Sequence, residues 1–561
     1  MKRVGLLLLT LALLLSAISP AMAGEEAPQE VKTFTLMAAV EADDPDWNDY
    51  WFFEYIEEEL GIAFEITQVS AESYAEKQQL AFATGQMTDL LVGTISDSDV
   101  AMYGDQGLII PLEDLINEEN TPVIQAWFEI IDGYKAALTY PDGHIYDFRG
   151  FQIIDRELPT QRYWINAEWC EQAIGKLPET LDEYYEYLKY VKENDMDGDG
   201  DPNNEIPLAG RFTSFNSTKN SYYDALLPIM FGFGMTERTK EAVDGVVQYN
   251  PAQPVFKEFL KYMNKLYTEG LLDSAYFTQT DDQYKAKIAS GVCGAFNDYA
   301  HWLNIADEAV WSQYSSNKPM TSEFNDTPMW GGRDLLLDRH FIITSQCEDP
   351  VTLLKLADFI MTDTYDGPNK EIFDERLEII QGYEDIVMRE VSGRLSQWRG
   401  AQLGSWDKHP DWGWEWAELE DEMGTYWAID TVFPEDQYKN ANEFWNAVMT
   451  PNCFPIPNVI IERQSTAREN ELTEQIATYN TPYLHVGWSS NIKLTAEEAD
   501  EASLLEVDIE AYLDQMFGRF VTGEADIEGE FDSYVEGLNS RGLQRYLEIY
   551  QAAYDRWAQV K

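Results

Sequence analysis

Residues 33–39, Thr-Phe-Thr-Leu-Met-Ala-Ala, alternate polar and apolar positions and then run apolar, which predicts a strand. Helical spacing of apolar positions over 50–60 follows, and Gly61 stops it. Residues 62–69 predict a second strand and 73–83 a second helix, and Gly85-Gln-Met-Thr-Asp-Leu-Leu-Val-Gly93 turns into a third strand. Strands alternating with helices imply a parallel sheet. Leu108-Ile-Ile-Pro-Leu-Glu-Asp-Leu-Ile116 begins a further strand–helix unit, and Ile145-Tyr-Asp-Phe148 is a short strand. Tyr163-Trp-Ile-Asn166 opens a new unit. Thr180-Leu-Asp-Glu183 has the spacing of a capping box, ahead of a helix whose Leu181, Tyr184, Tyr185, Leu188 and Val191 share a face. Helices are predicted at 255–269 and 351–362, and strands at 291–298 and 340–345. A second capping box, Thr495-Ala-Glu-Glu498, precedes helical spacing over 504–521. Leu543, Leu547, Tyr550, Tyr554 and Trp557 mark a last helical face.

Between the helix that begins at Thr180 and the short strand Ile206-Pro-Leu-Ala-Gly210, the pattern gives way to an acidic loop. Its oxygen-bearing residues fall at Asp195, Asp197, Asp199, Asp201, Asn203 and Glu205, with Gly198 and Gly200 permitting tight turns. Alternate carboxylates around a glycine-permitted turn suit a hard cation, and calcium takes six to eight oxygens at roughly 2.3–2.6 Å. Four like charges this close would repel without one. With Asp195 as the first position, the terminal acid falls one place earlier than in an EF-hand, and Ile206 takes that last place. Asn203 and Asn204 compete for one ligand position. A structural Ca2+ held by the loop at 195–206 is expected, at a helix-to-strand junction that it would fix.

Composition narrows the class. Lys2 and Arg3 precede an apolar run over 6–15 and the small-residue site Ala21-Met-Ala23, so 1–23 reads as a secretory signal peptide. That run is short for a membrane span, which needs about 20 residues. No Cys follows it, so no lipid anchor is expected. A chain of 561 residues, 45% of them hydrophobic, is long enough for more than one core. With 39 basic against 100 acidic residues, the field repels nucleic acid and anionic lipid. Cys170, Cys293, Cys347 and Cys453 show no Cys-x-x-Cys spacing; three disulfide pairings and free thiols all remain open. The five His form no metal-ligand spacing, and no nucleophile elbow or phosphate-binding glycine loop is present. Catalysis is not expected.

The order of these elements, with Thr84-Gly-Gln-Met-Thr-Asp89, Gly107-Leu-Ile-Ile-Pro-Leu112, Pro141-Asp-Gly-His-Ile-Tyr146, Leu177-Pro-Glu-Thr-Leu-Asp-Glu183, Gly291-Val-Cys-Gly-Ala-Phe296 and the tail at 543–557, resembles extracellular solute-binding proteins of carbohydrate ABC transporters. Glu205-Ile-Pro207 after the acidic loop resembles the calcium-loop-containing branch. The resemblance covers nearly the whole chain after the signal peptide. It implies an α/β, two-lobed, type II periplasmic-binding-protein-like fold with the ligand cleft between lobes and additional C-terminal helices. One lobe would hold 30–148 and 303–370, the other 149–302 and 371–561. Two departures are the missing lipid-anchor Cys and a calcium loop one residue longer than usual.

Sugars present apolar faces ringed by hydroxyls, so a cleft for them needs aromatic platforms beside polar groups that hydrogen-bond in pairs. Asp298, Tyr299 and Trp302 lie where a strand ends at the implied cleft, and relatives stack sugar there; Trp302 ranks first. Trp47 is the matching candidate from the other lobe and Trp330 a third, while Trp406, Trp412 and Trp414 would extend the cleft. Core packing is the competing role for each ring. Asp89 either contacts ligand or closes its own turn. The expected function is capture of a neutral oligosaccharide, by an exported monomer, for an ABC transporter permease. The periplasm, the extracellular medium and the cell surface are the compartments left open. A secreted glycoside hydrolase or polysaccharide-binding enzyme is the alternative, supported by the aromatic stretch 398–427. A peptide or acidic-sugar ligand would keep the fold, with Arg333 or Arg399 reversing the local field.

Overall fold

A computed structural model describes residues 31–361 and 467–560, except 41–45, 132, 152–157, 202, 216–222, 334–335 and 490, together with 416–421, 424–429 and 454. The signal segment, Cys453, Arg399, Trp406, Trp412 and Trp414 lie outside the described residues.

The chain begins with β1 (Lys32–Val40), β2 (Ile62–Ser70), β3 (Leu90–Gly93) and β4 (Phe148–Phe151). It continues through β5 (Tyr163–Asn166), β6 (Ile206–Leu208), β7 (Lys240–Val243), β8 (Val246–Tyr249), β9 (Cys293–Asn297), β10 (Tyr314–Ser315), β11 (Trp330–Gly331) and β12 (Leu336–Ile343). Two sheets organise it. The first has the order β2-β1-β3-β12-β4, with β1 parallel to β2 and β3, and β12 antiparallel to both its neighbours. The second has the order β10-β5-β9-β6, with β6 parallel and β5 antiparallel to β9. β10 joins the second sheet and β12 the first, so the chain passes between sheets within 316–335.

Each sheet has its own core. In the first, the run Leu90-Leu-Val-Gly93 is buried throughout, as a strand covered on both faces must be. Its core gathers Leu36, Phe52, Ile56, Phe148, Phe341 and Leu353. One helix there borrows its cap. Pro122–Ile130 has no side-chain cap of its own, and Asp358, buried on the helix Pro350–Ile360, accepts from the Ile124 N–H at 2.8 Å. In the second, the helix Pro254–Thr268 buries Phe256, Phe259, Leu260, Met263 and Leu266 at helical spacing. The helices Ala496–Thr522, Ile527–Ser540 and Leu543–Val560 close over that core. The capping box at Thr495 and Glu498 forms, and the helix runs from Ala496 without a break. At Thr180 only half a box forms, because Glu183 Oε2 accepts from Glu179 N instead. In the last helix the buried positions are Leu543, Tyr546, Ile549, Tyr550 and Ala553; Leu547, Tyr554 and Trp557 are only partly covered.

Three segments meet where the chain crosses between sheets. Thr160 N donates to Gly331 O at 2.9 Å, and Pro159 bridges Gly332. β11 pairs in parallel with β15 (Leu484–His485), which follows the hairpin of β13 (Trp416–Asp421) and β14 (Gly424–Ile429) in the chain. Backbones approach closely here. A Cβ on Gly331 would stand 2.6 Å from Thr160 Oγ1 and 2.9 Å from Thr236 O, so only glycine fits. The two bodies also touch through Lys493, whose ammonium lies 3.7 Å from the Tyr140 ring centroid.

Among the described residues, Cys170, Cys293 and Cys347 are buried free thiols, and no helix is long and apolar enough to cross a membrane.

Candidate functional site

The acidic loop leaves the helix Leu181–Glu193, whose Leu181, Tyr184, Tyr187, Leu188 and Val191 anchor it in the second core. The loop is built by its own carboxylates. Asp195 accepts from Gly198 N at 2.8 Å and Gly200 N at 2.9 Å, Asp197 from Asp199 N, and Asp199 from Asp201 N. Gly198 and Gly200 have φ of 78° and 96°, values that L side chains rarely adopt. One oxygen each of Asp195, Asp197 and Asp199 lies within 4.8 Å of the others. Glu205 is buried beneath them; its Oε1 accepts from Met196 N, while its Oε2 has no hydrogen-bond partner. Asn204 Oδ1 is likewise buried and unpartnered, whereas Asn203 is exposed. Buried oxygens are normally satisfied. Two orphaned acceptors beside three converging carboxylates are the donor set a calcium ion would complete.

The second feature sits at the end of β9, which is buried along its whole length at the centre of its sheet. Asp298 follows it and is 1% exposed. Its Oδ1 accepts from Tyr299 N at 2.7 Å, its Oδ2 from Asn304 Nδ2 at 2.6 Å, and its carbonyl from Trp164 Nε1 at 3.0 Å. Burial pushes this carboxyl up to about 6, against the pull of those hydrogen bonds and of Lys285 and Arg162. Asp298 therefore shapes the turn from within. The turn presents Tyr299 and Trp302, both only partly covered. One face of Tyr299 is taken by the Arg162 guanidinium, 4.0 Å from the ring centroid. His301, in the same turn, is fully buried between Trp164 and Trp311, at 4.6 and 5.4 Å. Burial pulls it down to about 4, so it is a neutral packing group at physiological pH.

The remaining candidates are placed elsewhere. Trp47 is 1% exposed, its ring against Tyr50, Phe53 and Phe454 at 5.8, 5.7 and 6.2 Å. In this conformation it offers no face to a sugar, while its exposed neighbours Asp46 and Asn48 do reach solvent beyond β1. Trp330 is equally buried at the crossing, donating Nε1 to Gln161 O at 3.0 Å. Asp89 accepts from both Thr35 N and Thr35 Oγ1 at 2.7 Å, closing its turn onto β1. Sequence reasoning passed over Gln161 and Arg162. Nothing local distinguishes them from an ordinary polar pair before a strand; their place beside the turn after β9 comes from β5 pairing with β9.

Comparison with known proteins places the chain. The family model for bacterial extracellular solute-binding proteins matches residues 32–365. The chain belongs to that family. It is 28% identical, over 94% of its length and 91% of the relative's, to the fructooligosaccharide ABC transporter substrate-binding protein FusA of Streptococcus pneumoniae serotype 4. FusA solved in complex with kestose shares the fold at a TM-score of 0.68 and 20% identity, covering 94% of this chain and 100% of that one. A FusA EF-hand mutant in complex with fructo-nystose aligns with a TM-score of 0.67, at 20% identity and the same coverage of both chains. An extracellular solute-binding protein from Bifidobacterium longum subsp. infantis aligns with a TM-score of 0.72 at 18% identity, covering 94% and 98% of the two chains. These relatives are binding proteins. The two sheets of this chain, each with its own helices, are the two lobes of that fold.

Proposed function

We propose that this protein captures a neutral oligosaccharide between its two lobes and delivers it to the permease of an ABC transporter, without turning it over. The observation that carries this is the turn after β9, where two partly exposed aromatic side chains stand on a buried, hydrogen-bonded carboxyl at the end of a central strand. A rigid turn holding aromatic rings suits the apolar faces of sugars, because little order has to be gained on binding. Trp302 and Tyr299 are the contact residues, and Asp298 holds them. The segments at 158–160, 330–333 and 484–485 form the hinge about which the lobes close. Fructo-oligosaccharides are the first ligands to test, given the similarity to FusA. Export by the signal segment and action as a monomer complete the reading.

Asp195, Asp197, Asp199, Asp201, Glu205 and one of Asn203 and Asn204 hold a structural Ca2+ in this reading. Bound there, the ion neutralises the carboxylates. The residues themselves fix the junction between the helix Leu181–Glu193 and β6. The unpartnered buried Oδ1 favours Asn204 over Asn203 as the ligand.

The test is a thermal-shift screen against kestose, nystose, other neutral oligosaccharides, oligouronates and peptides, each with and without chelator. A binder gains stability from its ligand by mass action. Stabilisation by a neutral sugar that is recovered intact supports the proposal. Release of reducing ends, or a response to oligouronates or peptides alone, would overturn it.

A further inference from the structure

The four residues Pro159, Thr160, Gln161 and Arg162 join the crossing segments to the strand end described above. On one side, Thr160 N and Oγ1 donate to Gly331 O at 2.9 and 3.1 Å, and Gln161 O accepts from Trp330 Nε1. On the other, Gln161 Oε1 accepts from Asn297 Nδ2 at 3.1 Å, and Arg162 NH1 donates to Tyr299 O at 2.9 Å. The Arg162 guanidinium also stands over the Tyr299 ring, 4.0 Å from its centroid, and Arg162 is 1% exposed. A buried cation is costly unless its charge is used. Here it is used twice on one residue, by ring face and by carbonyl, and again on the Asp298 carboxylate.

We propose that Arg162 is a positioning residue of the ligand site: it clamps Tyr299 by its ring face and its carbonyl, and ties that turn to the crossing segments. The inference rests on the reading of residues 298–302 as ligand contacts. Arginine is required because its planar fork stacks and donates at once, whereas a lysine ammonium is a point charge on a flexible stem. Pre-ordering Tyr299 removes an ordering cost that binding would otherwise meet. The same cation helps Asp298 stay ionised. Asp298 is faced by Arg162 and Lys285, which favour its charge, by the Tyr223 and Tyr284 hydroxyls, and by the donors Tyr299 N and Asn304 Nδ2.

The experiment uses the full chain with Arg162→Lys, Arg162→Met, Tyr299→Leu and Trp302→Ala, and as probe the panel sugar that stabilises the unmodified chain most. Affinity is measured by calorimetry between pH 5 and 8, beside the melting temperature without ligand. Both arginine variants are expected to bind at least tenfold more weakly at pH 7. In Arg162→Met the pH below which binding weakens moves up from the region of 6, because the carboxylate has lost a cation. A role confined to folding stability would lower the melting temperature and leave that pH profile in place. Wild-type affinity in both arginine variants, or an unmoved profile in Arg162→Met, overturns the proposal while the ligand site stands. Full affinity in Tyr299→Leu and Trp302→Ala together would instead overturn the placement of the ligand at this turn.

Discussion

Glu237 offers a quantitative check on the packing around the crossing segments. It stands four residues from Glu241, whose carboxylate is buried and accepts from Thr236 Oγ1 and from Asn250 Nδ2 at 2.8 Å. The backbone N–H of Trp488 donates to Glu237, and a Cβ on Gly487 would stand 2.8 Å from both Glu237 Cγ and Glu241 Oε1. Although part of the residue reaches the surface, its carboxyl is enclosed. Burial first, then the neighbouring Glu241, pushes it up from 4.5 to about 8. Between those two values the folded chain holds a proton that the unfolded chain has released. Stability therefore falls as pH rises from about 4.5 to about 8, and this contribution is flat outside that window. At about 1.4 kcal/mol for each tenfold change in proton affinity, the loss reaches at most about 3 kcal/mol by pH 7 and about 5 kcal/mol above pH 8. Glu237→Gln keeps an acceptor for the Trp488 N–H and removes the titration. Scanning calorimetry of both proteins from pH 4.5 to 9 should give melting curves that coincide near pH 4.5 and diverge as pH rises, the variant melting several degrees higher at pH 8. Parallel curves across pH 5–8 would refute the reasoning, because they would mean that Glu237 is already ionised in the folded chain.

Three further outcomes are expected. Lys493 is buried with its ammonium making no hydrogen bond among the described residues, and burial holds it well below its usual range, so the folded chain binds fewer protons than the unfolded one and stability drops as pH falls below 10.5. Lys493→Met should raise the unfolding free energy at pH 7 by about 1–4 kcal/mol in denaturant titration, and equal or lower stability would show the amine to be satisfied. Chelator should lower the melting temperature of the wild-type chain, and Asn204→Ala should reproduce most of that loss while Asn203→Ala does not, as isothermal calcium titration of the three proteins would show. Trp47→Ala should cost about 3–5 kcal/mol of stability with ligand affinity unchanged in the folded fraction, whereas Trp302→Ala should cost at least tenfold in sugar affinity with little change in melting.

Much of the fold was legible along the chain because period and punctuation carry it. The alternation over 33–39 became β1, the run at 90–93 became a buried strand, and the acidic loop folded on the glycines its spacing demanded. These are local properties, fixed by side-chain period and by which residues tolerate positive φ. Other local signals lie in the chain as well. Asp244-Gly245 is a hairpin turn with φ of 51° and 81° between β7 and β8, and Thr280 with Gln283 forms a full capping box.

What the linear sequence could not decide is which face a ring shows and which distant backbone lies beside it. Trp47, Trp302 and Trp330 are chemically the same residue. Only the packing of Phe53 and Phe454 on one, of Gln161 and Phe231 on another, and the open side of the turn after β9 on the third separates core from surface. Asp298 is buried and hydrogen-bonded within its turn, which its place after a strand does not reveal. Arg162 looked like nothing until β5 and β9 were paired. Hydrophobic period is a property of one segment, but burial, pKa and cation placement depend on what other segments bring within a few ångströms. The chain by itself determined two α/β bodies and an acidic loop with alternating carboxylates; the tertiary structure decided which aromatic rings are buried and which cation lies against Tyr299.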